Sequence, residues 1–412
     1  MNKTTYFRLT AMMFLQFFVW GAWFVTLGTY LNELGFSGGD IGLAYLTNNI
    51  GAIVAPFFVG MVADRFFASE RVAGVMHLLG AAVLYYVSGL TGVNEILLGL
   101  LIYNACYMST LGLVNSISFA QMDHPETQFP GVRVAGTIGW IVAGLSISLV
   151  LAPGVADVEA TNVPMIMAAA CSAILGLYCF TLPHTPPAGK GKSVTMGDIL
   201  GVEALALLKD RSFAVFAGCS VLISIPLAFY YGFTNLFLNE LGMEGVAGKM
   251  SMGQMSEVVF MIAMPFFFKR LGVKWMLLVG MLAWVLRYGL FAFGTMDLVG
   301  MLYLGILLHG ICYDFFFVTG QIYVDRKASV NIRASAQGLI ALATYGVGMA
   351  IGSFVAGRIV EMYVVEGGHD WQTIWLIPCV FAGAVALLFA VIFRDSSADE
   401  AEPEVALPEA QP

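Results

Sequence analysis

Charge is scarce: Asp, Glu, Lys and Arg make up 11% of the 412 residues, less than half the roughly 25% usual in a soluble domain. With a mean hydropathy of +0.83, that scarcity excludes a chain whose main solvent is water. Cysteine is also sparse. Cys106, Cys171, Cys179, Cys219, Cys312 and Cys379 all lie in apolar stretches without metal-ligand spacing and read as small packing residues. Of the five histidines, His77, His124 and His184 fall near segment ends as surface groups, while His309 reads as a hydrogen-bonded packing residue. No nucleophile-base grouping accompanies them, so neither an enzyme nor a metal or organic cofactor is expected. A cleavable leader is not expected either, because the first apolar block, 7–31, is too long and lacks a small-residue cleavage pattern.

What the chain has instead is apolar blocks of about 20 residues, enough for a helix to cross roughly 30 Å of hydrocarbon. Twelve are read, centred near Trp20, Gly51, Ala81, Tyr107, Val142, Ser172, Pro226, Phe260, Ala283, Ile311, Gly346 and Ala384. An even number returns both ends to one side. That side collects the basic residues, among them Lys3, Arg8, Arg65, Arg71, Lys190, Lys192, Lys269, Arg270, Arg326, Lys327 and Arg394. Opposite loops carry Glu33, Asp40, Glu95, Asp157, Glu159, Glu240 and Glu366, with Lys249 and Arg358 as exceptions. The positive-inside rule then predicts cytoplasmic termini and, for a bacterial chain, a multi-pass inner-membrane protein.

The longest polar interruption separates blocks six and seven and divides the chain into an N-terminal six-helix bundle (1–182), a cytoplasmic linker (183–210), a C-terminal six-helix bundle (211–394) and a disordered acidic tail (395–412). The expected fold class is therefore an all-α membrane protein of twelve transmembrane helices in two six-helix bundles. Two bundles that rock about a midplane site are a transporter's architecture. The loop after block two, Gly60-Met-Val-Ala-Asp64-Arg65, resembles the Gly-x-x-x-Asp-Arg signature of major facilitators. Gly60 would permit close helix approach, and Asp64 and Arg65 would gate the basic face.

Ionisable groups inside apolar blocks are costly unless paired or facing a wet cavity. Gln254 and Glu257 stand three residues apart, on one helical face of block eight. Block ten holds His309 and Asp314, and block nine Arg287, at comparable depth, so the acids and Arg287 could meet. Glu257 or Asp314 is expected to carry a proton, with Arg287 structural. Arg133, Thr137 and Trp140 share one face of block five; Arg133 either snorkels to the surface or points into the cavity. Gly136 and Gly139 serve close packing. Gln16 and Trp20 in block one, Thr110 and Asn115 in block four, and Phe229 and Tyr231 in block seven complete an uncharged polar and aromatic lining suited to a neutral planar solute with hydroxyls.

Several segments, in order along nearly the whole chain, resemble the nucleoside:proton symporters of the major facilitator superfamily. They include Phe14-Leu-Gln16-Phe-Phe-Val-Trp20, Arg133-Val-Ala-Gly136-Thr137, Gln254-Met-Ser256-Glu257, Tyr313-Asp314-Phe315-Phe316 and Arg333-Ala-Ser335-Ala-Gln337-Gly. The resemblance implies proton-coupled nucleoside import, with Arg133, Thr137, Gln254, Glu257 and Asp314 at substrate and coupling positions and protons as the coupling ion. Two departures stand out: Ala228 and Tyr231 replace amides of the family pattern, and Phe317 replaces an Asn. Fewer amides and more aromatics favour stacking over hydrogen bonding to a base. A symporter of a sugar or peptidoglycan fragment is the alternative on the same fold, and a non-transporting sensor a weaker one, since no signalling domain is attached. Expected partners are a small solute and the lipid bilayer, with no nucleic acid and a monomeric chain.

Overall fold

The computed structural model describes residues 1–187, 202–329 and 332–395. Residues 188–201 of the linker and 396–412 of the tail lie outside the described part, so the expectation of disorder for the tail is not addressed.

Among the described residues, eight helices are long and apolar enough to cross a membrane. One of them, Val246–Phe293, spans 48 residues and is broken at Gly272 (φ 66, ψ −179). That is a backbone state open to glycine without strain. Met264 and Met276, on either side of the break, share one apolar cluster with Phe315, so the segment folds back into two legs. Lys3–Gly21 with Leu27–Glu33, Ser69–Val87 and the shorter apolar Val163–Cys179 bring the crossings to twelve among the described residues.

We label them α1 (Lys3–Gly21 with Leu27–Glu33), α2 (Gly38–Arg65), α3 (Ser69–Val87), α4 (Val93–Ala120), α5 (Pro125–Leu145), α6 (Val163–Cys179), α7 (Arg211–Glu240), α8 (246–271), α9 (273–293), α10 (Val299–Leu307 and His309–Tyr313, running on to Lys327), α11 (Arg333–Ala341, running on to Met362) and α12 (Trp371–Ile392). A two-residue hairpin, β1 (Val364–Val365) against β2 (Gly368–His369), joins α11 to α12 antiparallel. It is tied down by Glu240, which accepts from Trp371 Nε1 at 2.7 Å and meets His369 Nδ1 at 2.8 Å.

Several crossings are irregular where they face the interior. The first apolar block is broken at residues 22–26, and the Tyr45 hydroxyl satisfies the exposed backbone by donating to Phe24 O at 2.8 Å and accepting from Gly28 N at 3.1 Å. α10 and α11 each contain a π-helical turn, at Asp314–Val318 and Leu342–Gly348, and a third, Ser146–Leu151, continues α5 beyond Leu145. Such turns insert an extra residue and re-aim side chains, and they concentrate at functional sites.

Two halves, α1–α6 and α7–α12, meet tightly on the face opposite the termini. Glu159, 5% exposed in the α5–α6 connection, accepts from Asn235 Nδ2 (2.7 Å), Asn239 Nδ2 (3.2 Å) and Ala247 N (2.9 Å) across the interface. Thr29 Oγ1 donates to Asn235 Oδ1 at 2.5 Å and Gly248 N to Ser148 Oγ at 2.8 Å. There α2 and α11 touch backbone to backbone: a Cβ on Gly357 would stand 2.6 Å from Gly38 O and 2.8 Å from Gly42 Cα. On the face of the termini the ties seen among the described residues run within each half, as between Lys327 and Asp210 (3.5 Å) or Met1 and Asp123. The interface is closed on one face of the molecule.

Candidate functional site

Between the halves, above that seal, lies a cavity of ≈ 370 Å³. Its size falls within the range of small-molecule sites. From α5 come Arg133, Thr137 and Trp140; from α1, Phe17, Trp20 and Phe24; from α4, Asn115; from α7, Tyr231; from α8, Gln254 and Glu257. The α5 face follows from its glycines. A Cβ on Gly139 would stand 2.1 Å from Phe14 O and one on Gly136 2.6 Å from Phe17, so α5 lies hard against α1. That contact places the Arg133 guanidinium 4.2 Å over the Phe17 ring, in the cavity wall.

Trp20 anchors an aromatic wall, with Trp140 edge-on at 5.4 Å, Phe24 at 5.7 Å and Tyr107 at 5.9 Å. Phe24 continues it to Tyr231 at 6.1 Å. The indole Nε1 of Trp20 is buried without a hydrogen-bond partner, and so is Oδ1 of Asn48, another lining residue. Buried polar atoms are seldom left so unless something else pairs them. Wall and polar atoms together make a slot for a flat ring with hydrogen-bonding edges.

Four residues expected in the lining lie elsewhere. Gln16 is consumed inside the first half: its Nε2 donates to Thr110 Oγ1 at 2.8 Å, its Oε1 meets His77 Nε2 at 2.8 Å, and its carbonyl accepts from Tyr107 at 2.5 Å. Thr110, the other end of that bond, is fully buried with it, and His77 is 1% exposed rather than a surface group. Phe229 is 2% exposed and packs in the core, because the face of α7 that meets the cavity is that of Tyr231. Asp314 opens the π-helical turn of α10 and is fully buried outside the lining, with neither carboxyl oxygen partnered.

Nor do the acids meet Arg287 in an ion pair among the described residues. Arg287 is fully buried, donates from Nε to Gly305 O at 3.0 Å, and stands 4.0 Å over the Tyr230 ring, its terminal nitrogens without hydrogen-bond partners. Glu257 instead lies 2.9 Å from Nε2 of His309, a distance of ion-pair range but outside the alignment of a hydrogen bond. The fields of Arg133 and Arg287 both reach Glu257. Asp64 lies in α2, its side chain outside the described part, and Arg65 ends that helix. Among the described residues, a Cβ on Gly60 would meet nothing within 4 Å, so no close approach at Gly60 is seen there.

Asn48, Asn49, Tyr313 and Tyr345 also line the cavity and were not among the expected residues. The adjacent amides of α2, inside an apolar block, were the available signal. Asn49 Nδ2 donates to Ser353 Oγ across the halves at 3.0 Å, and the Tyr313 and Tyr345 hydroxyls bond at 2.7 Å.

Similarity to known proteins matches this geometry. Residues 2–398 match the Nucleoside H+ symporter family. The chain is 44% identical over 404 residues to the putative nucleoside transporter YegT of Escherichia coli K12, covering 96% of this chain and 95% of that protein. It is 36% identical to the xanthosine permease of the same organism, covering 94% of each. The crystal structure of nucleoside transporter NupG superposes with a TM-score of 0.85 at 36% identity, over 96% of this chain and 100% of that one. The fold is that of the major facilitators, and the chain is a member of the nucleoside H+ symporter family.

Proposed function

We propose that this protein imports nucleosides together with protons across the bacterial inner membrane by alternating access, with both termini in the cytoplasm. The observation that carries the reading is one cavity shared by an aromatic slot and a partly buried acid: Trp20 and Trp140 on one side, Gln254 and Glu257 on the other. The basic residues on the face of the termini support the orientation. In that orientation the seal around Glu159 closes the periplasmic side, and the cavity belongs to an inward-facing state.

A base stacks against Trp20 and Trp140, and ring nitrogens and hydroxyls pair with Asn48, Asn115, Thr137 and Gln254. Arg133, an obligate cation, donates to acceptor edges of the solute and disfavours a second positive charge. Glu257 carries the proton. It is 16% exposed at the cavity wall, so water or solute reaches it in the inward-facing state. Asp314 is the second proton group: a buried carboxylate without partners costs several kcal/mol, and a proton on Asp314 removes that cost. The cavity is completed by the two halves of a single chain, which supports a monomer as the working unit.

Uptake of radiolabelled uridine and adenosine into proteoliposomes, under an imposed inward proton gradient, tests the reading. Gradient-dependent accumulation that an uncoupler abolishes, and that excess nucleoside but not excess sugar competes away, is expected. Accumulation competed by sugar alone would transfer the reading to the alternative solute class.

A further inference from the structure

Helix α10 is interrupted at Leu308 and resumes with His309, the residue that faces Glu257. Two glycines bring α8 and α10 together at this level. A Cβ on Gly310 would stand 2.6 Å from the backbone carbonyl of Ser256, and one on Gly253 3.1 Å from His309 Cβ. Gly310 N donates to Ser256 Oγ at 2.9 Å, which fixes the register between the two helices. The imidazole, 1% exposed, is held by rings rather than by hydrogen bonds: Tyr230 stacks on it at 5.1 Å and 20°, and Tyr231 meets it edge-on at 6.0 Å. Neither ring nitrogen has an aligned partner, and Glu257 is the acid within ion-pair distance. A buried imidazole without hydrogen bonds is an expensive packing residue.

We propose that His309 is the positioning residue of Glu257: its Nε2–H donates to the ionised carboxylate, and the pair parts when Glu257 takes up a proton. This rests on the reading of Glu257 as proton carrier. The groups facing the pair fix the role of the imidazole. Arg287 of α9 already occupies the Tyr230 ring at 4.0 Å, so a second cation at His309 is opposed and the imidazole serves as a neutral donor. Gln254 of α8, Tyr231 of α7, Tyr313 of α10 and Arg133 of α5 complete the surroundings of Glu257 at the cavity. Close but unaligned, the contact suits a pair that makes and breaks during the cycle.

The test is the pH profile of gradient-driven uridine uptake for wild type, His309→Phe, His309→Gln and Glu257→Gln in proteoliposomes. His309→Phe keeps a ring in the aromatic cage but removes the donor. Ionised Glu257 then loses a hydrogen bond, and the alkaline midpoint of uptake should rise by on the order of one pH unit. His309→Gln restores an N–H donor and should bring the midpoint back toward wild type. A packing residue would change the amount of active protein in both variants and leave the midpoint in place, and that result would overturn the proposal. Should His309→Phe not fold, His309→Asn, an amide too short to reach Glu257, takes its place with the same expected rise. Glu257→Gln separates the two ideas. Full accumulation in it removes the proton role of Glu257, whereas lost accumulation with an unmoved His309→Phe midpoint removes only the role of His309.

Discussion

Glu159 is the residue whose removal should most directly change the resting state of the transporter. Its carboxylate accepts three hydrogen bonds from the other half, from Asn235, Asn239 and the backbone of Ala247, and is 5% exposed. Ala247 lies in the first turn of α8, so the carboxylate also sits at the positive end of that helix. In Glu159→Ala the Asn235 Nδ2 and Ala247 N donors lose their oxygen acceptor while the interface stays closed, and they regain water only when it opens. Asn239 Nδ2 keeps Asn235 O at 2.9 Å and Asn235 Oδ1 at 3.1 Å. At a net ~1 kcal/mol per orphaned bond the closed state loses about 2 kcal/mol, which moves the equilibrium toward the outward-open form roughly thirtyfold. Glu159→Gln keeps one acceptor oxygen but turns an amide N–H toward a donor, and should fall between. Ser251, 2% exposed in the sealed region beside Trp140, reports the change once made Ser251→Cys in a background without the six native cysteines. Labelling by a membrane-impermeant maleimide from outside should be at least tenfold faster in the Ala variant. Equal labelling rates in Glu159→Ala and its parent would refute the claim that this clasp holds the periplasmic face shut.

The same seal should fail by a steric route. Gly357→Ala brings a Cβ within 2.6 Å of Gly38 O, where only movement of α2 or α11 makes room, and overpacking of this kind costs about 1–3 kcal/mol; faster outside labelling of Ser251→Cys is expected here too. Glu257→Gln and Asp314→Asn should each abolish concentrative uptake while uridine counterflow without a gradient continues, and full proton-driven accumulation in both would remove the coupling assignment. At the N-terminus of α12 the Asp370 side chain accepts from Thr373 N at 3.2 Å, and hydrogen bonds from Thr373 hold its carboxyl below the usual range. Because the folded value is the lower one, this stabilisation is present above the unfolded value near 3.9 and is lost as pH falls through the folded value. Asp370→Ala should lower stability at neutral pH by at most about 1 kcal/mol, since the cap is exposed to solvent, and Asp370→Asn by less, in thermal melts of the detergent-solubilised protein.

Residues that announce themselves by cost were legible before any coordinates. Glu257 is conspicuous because a charge inside an apolar block must be compensated, and the Arg133–Thr137–Trp140 face because its spacing is that of a helix; all four line the cavity. Legibility fails where the outcome depends on contact between helices. Gln16 looks like a ligand for solute from its sequence, yet its amide is saturated by Thr110 and His77, two helices away. Asp314 looks like a cavity residue at its depth, but it opens a π-helical turn and is fully buried outside the lining. The partner of Glu257 depends on how α8 and α10 slide past one another, which the glycine contacts at Gly253 and Gly310 fix and which no single-helix periodicity contains. Asn48 and Asn49 are visible as adjacent amides in a span, but an uncharged amide costs far less to bury than a charge, so the pair carries a weaker signal than Glu257.

The division of labour between the halves carries a consequence for coupling. Trp20, Asn48, Asn115, Arg133, Thr137 and Trp140 belong to the first half, whereas Gln254, Glu257 and Tyr231 belong to the second, with His309, Arg287 and Asp314 buried behind them. The first half is cross-braced internally by the Gln16–Thr110–His77–Tyr107 network, which ties α1, α3 and α4 together behind Trp20. Among the described residues, the charge that the second half brings to the lining is Glu257, and the cation of the lining, Arg133, stands across the interface. On the proposed reading, a solute in this cavity alters the field that Arg133 exerts on Glu257, and a proton on Glu257 removes the attraction between the two. Solute and proton thus act on the same interface from opposite walls. On that reading a neutral solute leaves the charge count of the interface unchanged, whereas a proton on Glu257 leaves Arg133 without its counter-charge. Hydrogen bonds from Arg133 to acceptor atoms of the solute offset that loss, so the protonated state gains the most from bound solute, which is the coupling a symporter needs.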